Sequence, residues 1–320
     1  MDASLGIDIA KAKFEVALLT PDGRVRHKSC ANTPTGFADL AAWLQRQHVT
    51  HVYACLEATG TYGEGLALWL HDTGHVVSVV NPAVIHAYAR TQLARSKTDR
   101  IDAELIARFT ATQQPSAWTP PAPEIRQLQA LVRRLDALQG MRIQELNRLE
   151  AGMVVADVRA SIEAVLANLD AQIAHVKQLI RDHLDRHPGL RAQRELLTTI
   201  PGIGEMTAAV LIAELFDKSY ASARQAAAFA GLVPRLVESG TLRRRSRLSK
   251  IGPARLRKAL YMPAVAALRW NPTIRAVRAR LAAAGKPPMV IIGAAMRKLI
   301  HLAYGVLKSG KAYEPTCAHP

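Results

Sequence analysis

Cysteine, aromatic residues and long apolar runs are all scarce in this chain of 320 residues. Its three cysteines, Cys30, Cys55 and Cys317, stand in no metal-ligand spacing. That excludes a disulfide scaffold and a zinc finger, and a reduced, cytoplasmic protein is expected. No uninterrupted run approaches the roughly 18 apolar residues that a membrane span needs, so no membrane partner is expected. The N-terminus, MDASLGIDIAKAKF, has an acid at position 2 and lacks the basic-then-apolar order of a secretory signal. Aromatics are only 5% of the chain, so base stacking is expected to contribute little to any nucleic-acid binding. Acid is nearly missing from one segment: residues 231–310 hold 17 Lys and Arg against the single acid Glu238.

What is present describes a folded chain. Apolar residues make up 49% and charged residues 21%, with mean hydropathy +0.02, which is globular composition. Residues 1–110 balance 11 basic against 11 acidic residues, and residues 111–230 balance 13 against 13. The net charge of +16 therefore sits in one C-terminal block. Charge concentrated in one segment predicts a polyanionic partner, nucleic acid first, whereas scattered arginines would only solvate helix surfaces.

The first segment reads as α/β. Leu5–Ile9, Phe14–Leu19 and Val25–Cys30, with turn chemistry at Pro21-Asp-Gly23, predict three strands in a meander. A helix over Thr35–Gln47, a strand over Val52–Leu56, a helix over Tyr62–His71 and a strand over Val76–Val80 follow, and Pro82 can open another helix. Hairpin strands followed by alternation give a mixed sheet with helices on its faces. After the proline-rich stretch 115–123 the pattern turns helical. Ile125, Leu128, Leu131, Leu135 and Leu138 form one stripe. Ile162, Leu166, Leu169, Ile173, Val176 and Ile180 form a heptad seam. The two would pair as a hairpin turning near Gly152, or join two chains. Further on, Ile200-Pro-Gly-Ile-Gly204 between apolar helices has the pattern of a helix-hairpin-helix, in which Gly202 and Gly204 would let a phosphate approach. A plain helical corner is the alternative. An arginine-rich loop and helices near 254–268, 272–284 and 288–307 complete the chain.

Four acids of the first segment are weighed together. Asp8 lies inside the first strand, and Glu57 ends another strand before Gly60, a place where α/β proteins put functional groups. Asp99 and Asp102, three apart, share one face if helical. Singly, each has an ordinary reading, such as Asp99 capping a helix or Asp102 pairing with Arg95 or Arg100. Jointly they match what Mg²⁺ or Mn²⁺ requires: a few hard carboxylate oxygens, with room for phosphate.

With these motifs in place the chain resembles a family. Gly6-Ile-Asp8-Ile-Ala-Lys11, Glu57-Ala-Thr-Gly60 and Lys97-Thr-Asp99-Arg-Ile-Asp102-Ala resemble the DEDD signature of insertion-sequence transposases of the IS110 family. The resemblance continues through Ile200–Gly204, Ala230-Gly-Leu-Val-Pro-Arg235, Glu238-Ser-Gly240 and Ile251-Gly-Pro-Ala-Arg-Leu-Arg257, in order along essentially the whole chain. It implies a RuvC-like (RNase H-like) α/β domain over 1–115, coiled-coil or linker helices over 116–190, and a mainly helical C-terminal transposase domain over 191–320. It also implies catalytic roles for Asp8, Glu57, Asp99 and Asp102 with a divalent metal, and for Ser239 as the nucleophile that forms a covalent phosphoserine link to DNA. Donor and target double-stranded DNA, a structured non-coding guide RNA (the bridge RNA) and a homo-oligomer, dimer or tetramer, are the implied partners.

The residues around Ser239 have their own reading. A serine hydroxyl needs a base or metal to take its proton and cations to steady the phosphate. Arg243, Arg244, Arg245 and Arg247 could supply the cations, and Lys250, Arg255, Arg257 and Lys258 extend the basic surface expected to bind nucleic acid. The alternatives are a plain turn serine, or Ser246 or Ser249 as the actor. Glu238 could accept the proton, pair with an arginine, or do neither. Tyr220, Tyr261 and Tyr304 are the other candidate nucleophiles, with only His301 to accompany them. Two other functions compete: a metal-dependent nuclease such as a junction resolvase, with no serine chemistry, and a nucleic-acid-binding protein with no activity.

Overall fold

The computed structural model describes residues 3–58, 60–92, 98–152, 155–216, 218–235, 238–239, 242–243 and 247–315, with backbone alone at 238, 239, 242 and 243. Contacts divide the chain into two units, residues 1–120 and 121–320.

Unit 1 is built on one sheet. Strands β1 (Ala3–Ile9), β2 (Lys13–Leu19) and β3 (Val25–Ala31) form the expected meander, followed by α1 (Pro34–Arg46), β4 (Val52–Glu57), α2 (Glu64–Asp72), β5 (Val76–Val80), α3 (Pro82–Thr91) and α4 (Asp99–Gln113). The strand order is β3-β2-β1-β4-β5, antiparallel in the meander and parallel from β1 through β4 to β5. This mixed α/β sheet fits the RNase H-like expectation. Helix starts follow from local chemistry: Thr33, Asn81 and Thr98 each accept a backbone N–H in the first turn, and Pro34 and Pro82 sit where a missing N–H costs nothing.

The two faces of the sheet carry different residues because strand side chains alternate. Leu5, Ile7, Phe14, Val16, Leu18 and Leu56 point to one face and pack with Phe37, Leu40 and Leu44 of α1 and Leu66 and Leu70 of α2. Gly6 and Ala17 point to the other face, where Ala103 and Ala107 of α4 come down on them. A Cβ at Gly6 would lie 2.1 Å from the Ala103 carbonyl oxygen and 2.2 Å from the Ala107 nitrogen, both backbone atoms that cannot swing aside. Gly6→Ala is therefore expected to destabilise unit 1 by about 3 kcal/mol or more. Gly140→Ala, at a position with no heavy atom within 4 Å of the added carbon, should instead stabilise its helix by about 0.5–1 kcal/mol. Urea unfolding of the two variants checks both signs.

Unit 2 begins with α5 (Pro123–Glu150) and α6 (Ala156–Arg186), which fold back on each other within one chain. Their direction is antiparallel: the His183 ring lies 2.8 Å from the Glu124 carbonyl at the base, and Arg142 Nε donates to Asp170 at 2.5 Å further out. Gly152, at φ +105°, follows the end of α5. Seam residues Leu169, Ile173, Val176 and Ile180 are buried with Leu128, Leu135 and Leu138. That core continues into α7 (Pro188–Thr198), α8 (Glu205–Glu214), α9 (Ala223–Phe229), α10 (Ala254–Trp270), α11 (Pro272–Ala283) and α12 (Pro288–Ser309). Helix α12 is long and apolar enough by composition to cross a membrane, with mean hydropathy 1.5 in its best window. Here Ala295, Leu299, Ile300 and Ala303 are fully buried in the core of unit 2, and Arg297 and Lys298 interrupt its middle.

The arginine-rich loop is replaced by paired backbone. Strands β6 (Pro234–Arg235) and β9 (Arg247–Leu248) pair antiparallel, and β7 (Glu238–Ser239) and β8 (Leu242–Arg243) pair between them in sequence. The run of arginines masks the apolar positions Leu242 and Leu248 of these short ladders, whose pairing no single-strand periodicity reveals.

Candidate active site and nucleic-acid interface

Strand register gathers the acids of unit 1. Asp8 follows Gly6 by two residues and so faces α4. Its antiparallel partner on β2 is Glu15. On the other side, Gly6 pairs with Cys55 and Ile7 with Leu56, so Glu57 is the next residue of β4 alongside Asp8. Glu15, Asp8 and Glu57 thus form a row across three strands at one end of the sheet, on the face covered by α4. The first turn of α4 brings Asp99 and Asp102 to the same end. Thr98, not Asp99, is the N-cap there, its Oγ1 accepting from Ile101 N–H at 3.2 Å. Both aspartates lie in a helix first turn, where a negative charge is favoured.

Glu15 is a carboxylate the sequence reading did not single out, and its position opposite Asp8 in the meander is the signal that would have found it. With it comes Lys13, whose Nζ lies 3.1 Å from Glu15 Oε1 and 3.4 Å from Asp99 Oδ2. These hydrogen bonds, Glu15 first and then Asp99, raise the Lys13 pKa above its usual value. Beneath the row, burial pushes the Cys55 thiol up to about 12, so it stays protonated and apolar in character. Hard oxygen donors in such a row suit a divalent cation chemically. Among the described residues, however, no three His, Cys, Asp or Glu side chains converge into a set able to hold a metal ion.

In unit 2 the backbone of Ser239 lies opposite Leu242, and that of Glu238 opposite Arg243, in the β7–β8 ladder. Arg244, Arg245 and Ser246 lie outside the described residues, as do Arg95 and Cys317. Ser249 is engaged locally, its Oγ accepting from Ile251 N–H at 3.3 Å. Arg247 and Lys250 are exposed, Lys250 in the left-handed region at φ +56°.

Three of the expected nucleic-acid contacts are occupied within the protein. Arg255 donates to Glu214 at 2.9 Å and Lys258 to Asp136 at 2.6 Å, tying α10 to α8 and α5. Arg257 donates to the Gly252 and Ala230 carbonyls at 2.8 and 3.3 Å. Gly202, at φ +106°, faces α10: a Cβ there would lie 2.8 Å from Ala267 Cβ and 2.9 Å from the Pro263 carbonyl. Close helix packing therefore requires this glycine. Gly204, the N-cap of α8, faces open space. Among the tyrosines, Tyr304 donates its hydroxyl to the Tyr220 carbonyl at 3.1 Å, while Tyr261 is exposed on α10. Burial, together with Arg297, Lys298 and Arg224, pushes the His301 pKa down to about 4, so the ring is neutral at pH 7.

Comparison with known proteins finds matches along most of the chain. A DEDD transposase profile of the IS110 group matches residues 5–156, and a profile described as "Transposase IS116/IS110/IS902 family" matches residues 194–278. The chain is 34% identical over 315 residues to the pilin gene-inverting protein of Moraxella bovis, covering 97% of both chains, and the Moraxella lacunata protein of the same name matches equally. It is 29% identical over 224 residues to the transposase for insertion sequence element IS1328 of Yersinia enterocolitica, covering 61% of this chain and 65% of that one.

Proposed function

The chain belongs to the IS110 family of transposases and is a DNA recombinase, and we propose that it cuts and rejoins DNA through a covalent serine ester at Ser239, aided by the carboxylates Asp8, Glu57, Asp99 and Asp102. The observation that carries this reading is the row in which Asp8 and Glu57 lie side by side at one sheet end, under the α4 turn holding Asp99 and Asp102. In the reaction, Ser239 Oγ forms an ester with a DNA phosphorus as the bond to the departing deoxyribose oxygen breaks. The hydroxyl proton goes to a base and the departing oxygen takes one up. The ester keeps the phosphodiester's energy, so a second strand end can displace serine and reseal the DNA. Asp8, Glu57, Asp99 and Asp102, which do not converge as they stand, would have to draw together to hold a Mg²⁺ or Mn²⁺ ion, Asp99 exchanging Lys13 for it. When bound, such an ion polarises a phosphate oxygen and lowers the charge that the attacking hydroxyl meets. Arg243, Arg247 and Lys250 would steady the phosphate, and Arg244 and Arg245 belong to the same basic run.

A structured RNA that pairs with donor and target DNA would supply sequence recognition, consistent with a protein surface charged for backbone contacts. The name of the Moraxella relatives, which describes gene inversion, supports action at defined DNA sites. In sequence the serine lies 137 to 231 residues from the four carboxylates, a separation that a dimer or tetramer in which one chain's serine serves another chain's carboxylates would bridge. The setting for such chemistry is the cytoplasm, on chromosomal DNA.

Incubation with labelled DNA followed by a denaturing gel tests the reading. Protein-linked DNA supports it, free nicked ends favour a metal-dependent nuclease, and intact DNA favours a binding protein. A second expectation concerns affinity. Arg255, Arg257 and Lys258 are engaged internally, so we expect the 231–310 segment to reach about six phosphates, giving a slope of log K against log salt of roughly −5 on duplex DNA. A slope near −1, measured by fluorescence anisotropy across a salt series, would refute it.

A further inference from the structure

The corner between α10 and α11 carries an open groove of about 810 Å³ that none of the roles above uses. Trp270, the last residue of α10, lines it and is 65% exposed, a large apolar area to leave in water. The Arg269 guanidinium lies 4.8 Å from the Trp270 ring centroid. Arg275 and Arg278, three apart on α11, line it as well, together with the small residues Ala276 and Ala279. Among the described residues none of these three arginines pairs with a carboxylate, in contrast to Arg255 and Lys258.

The corner is held rigid from beneath. Asn271 is fully buried, and its Oδ1 accepts from Ile274 N–H at 3.2 Å and from the Tyr313 hydroxyl at 3.0 Å. Its amide donates to the Pro201 carbonyl at 3.2 Å, and the Tyr313 hydroxyl also meets Thr273 Oγ1 at 2.7 Å. A ring carried on a corner held in this way loses little backbone freedom when a flat group stacks on it.

We propose that this groove is a binding site for single-stranded DNA, in which one unpaired base stacks on Trp270 while Arg275 and Arg278 hold the flanking phosphates. Charge complementarity selects the occupant. The groove belongs to the segment with 17 basic residues and one acid, so a second copy of the same surface would be repelled and a polyanion attracted. The indole then discriminates among polyanions, because a base inside a duplex offers no free face whereas an unpaired one does. The choice of DNA rests on the chain being a DNA recombinase, whose strands must separate during exchange. The site does not depend on serine chemistry, so its test and that of Ser239 fail independently. It also revises locally the expectation that stacking contributes little: one well-placed ring suffices.

The test uses the full-length protein and fluorescein-labelled oligothymidylate of about 12 nucleotides, a length within the site sizes of single-strand binders. Trp270→Ala should weaken its binding by about 5- to 50-fold while leaving affinity for a long duplex within about twofold. Trp270→Phe should recover most of the loss. Arg275→Gln and Arg278→Gln should each make the single-strand salt slope shallower by about 0.7. Tryptophan emission should be quenched by oligothymidylate, and the quench should largely disappear in Trp270→Phe, a readout that holds even if the alanine variant misfolds. Equal losses on single strand and duplex, an unchanged quench in Trp270→Phe, or an effect confined to oligouridylate RNA would each overturn the proposal. So would equal competition by polyglutamate in the parent and Trp270→Ala proteins, which would mark a generic anion surface.

Discussion

Ser239→Ala protein is expected to bind duplex DNA within about twofold of the parent chain and to form no protein–DNA adduct, with recombination falling by about 10⁴-fold or more. The size of the effect follows from the chemistry: without the hydroxyl there is no atom to carry the phosphoryl group, and methyl in its place cannot be rescued by cations. Affinity should survive because it resides in many charged phosphate contacts spread over the basic segment, to which a neutral serine adds no charge. Ser249→Ala is the internal control. Its hydroxyl caps Ile251 N–H, so that variant should still be captured on DNA, as should Ser246→Ala. Capture of Ser239→Ala protein under denaturing conditions would place the nucleophile elsewhere, and Tyr261, exposed on α10, would be examined next.

Asp102→Asn is expected to reduce recombination by about a thousandfold or more with the fold intact. Asparagine keeps the size and polarity of the side chain but removes the negative charge that a hard divalent cation needs. Helix α4 should tolerate the change, since Thr98 caps it and Ala103, Ala107 and Phe109 anchor it on the sheet. Thermal unfolding of the metal-free variant should match the parent within a few degrees, while the shift produced by adding Mn²⁺ should shrink. Full recombination in the variant would remove Asp102 from the site. Mixing Asp102→Asn with Ser239→Ala protein separates the two architectures: partial recovery means that one chain lends its serine to another's carboxylates, and no recovery means that each chain completes its own site.

Much of the fold could be read in the sequence because it depends on short stretches. The meander follows from alternation around Pro21-Asp-Gly23, and two apolar stripes on either side of Gly152 mark α5 and α6 without choosing between a hairpin and a join of two chains. The helix that Pro82 can open is α3, which begins at that residue. Such signals act within a few residues, where sequence neighbours are also neighbours in space. The places of the four acids were legible for the same reason, Asp8 inside a strand, Glu57 at the end of one, and Asp99 and Asp102 three apart on a helix. Register was not. That Glu15 stands opposite Asp8, that Lys13 bridges Glu15 and Asp99, and that Glu57 continues the row depend on which strands pair and in what phase. The basic block shows the same division. Counting charges located the basic segment, yet the count could not distinguish Arg255 and Lys258, held by Glu214 and Asp136, from Arg275 and Arg278 beside an exposed indole. Sequence determined which groups are present and the local element each sits on. The tertiary structure decided which charges already have a partner, because a carboxylate neutralises the arginine it meets in space, however distant along the chain.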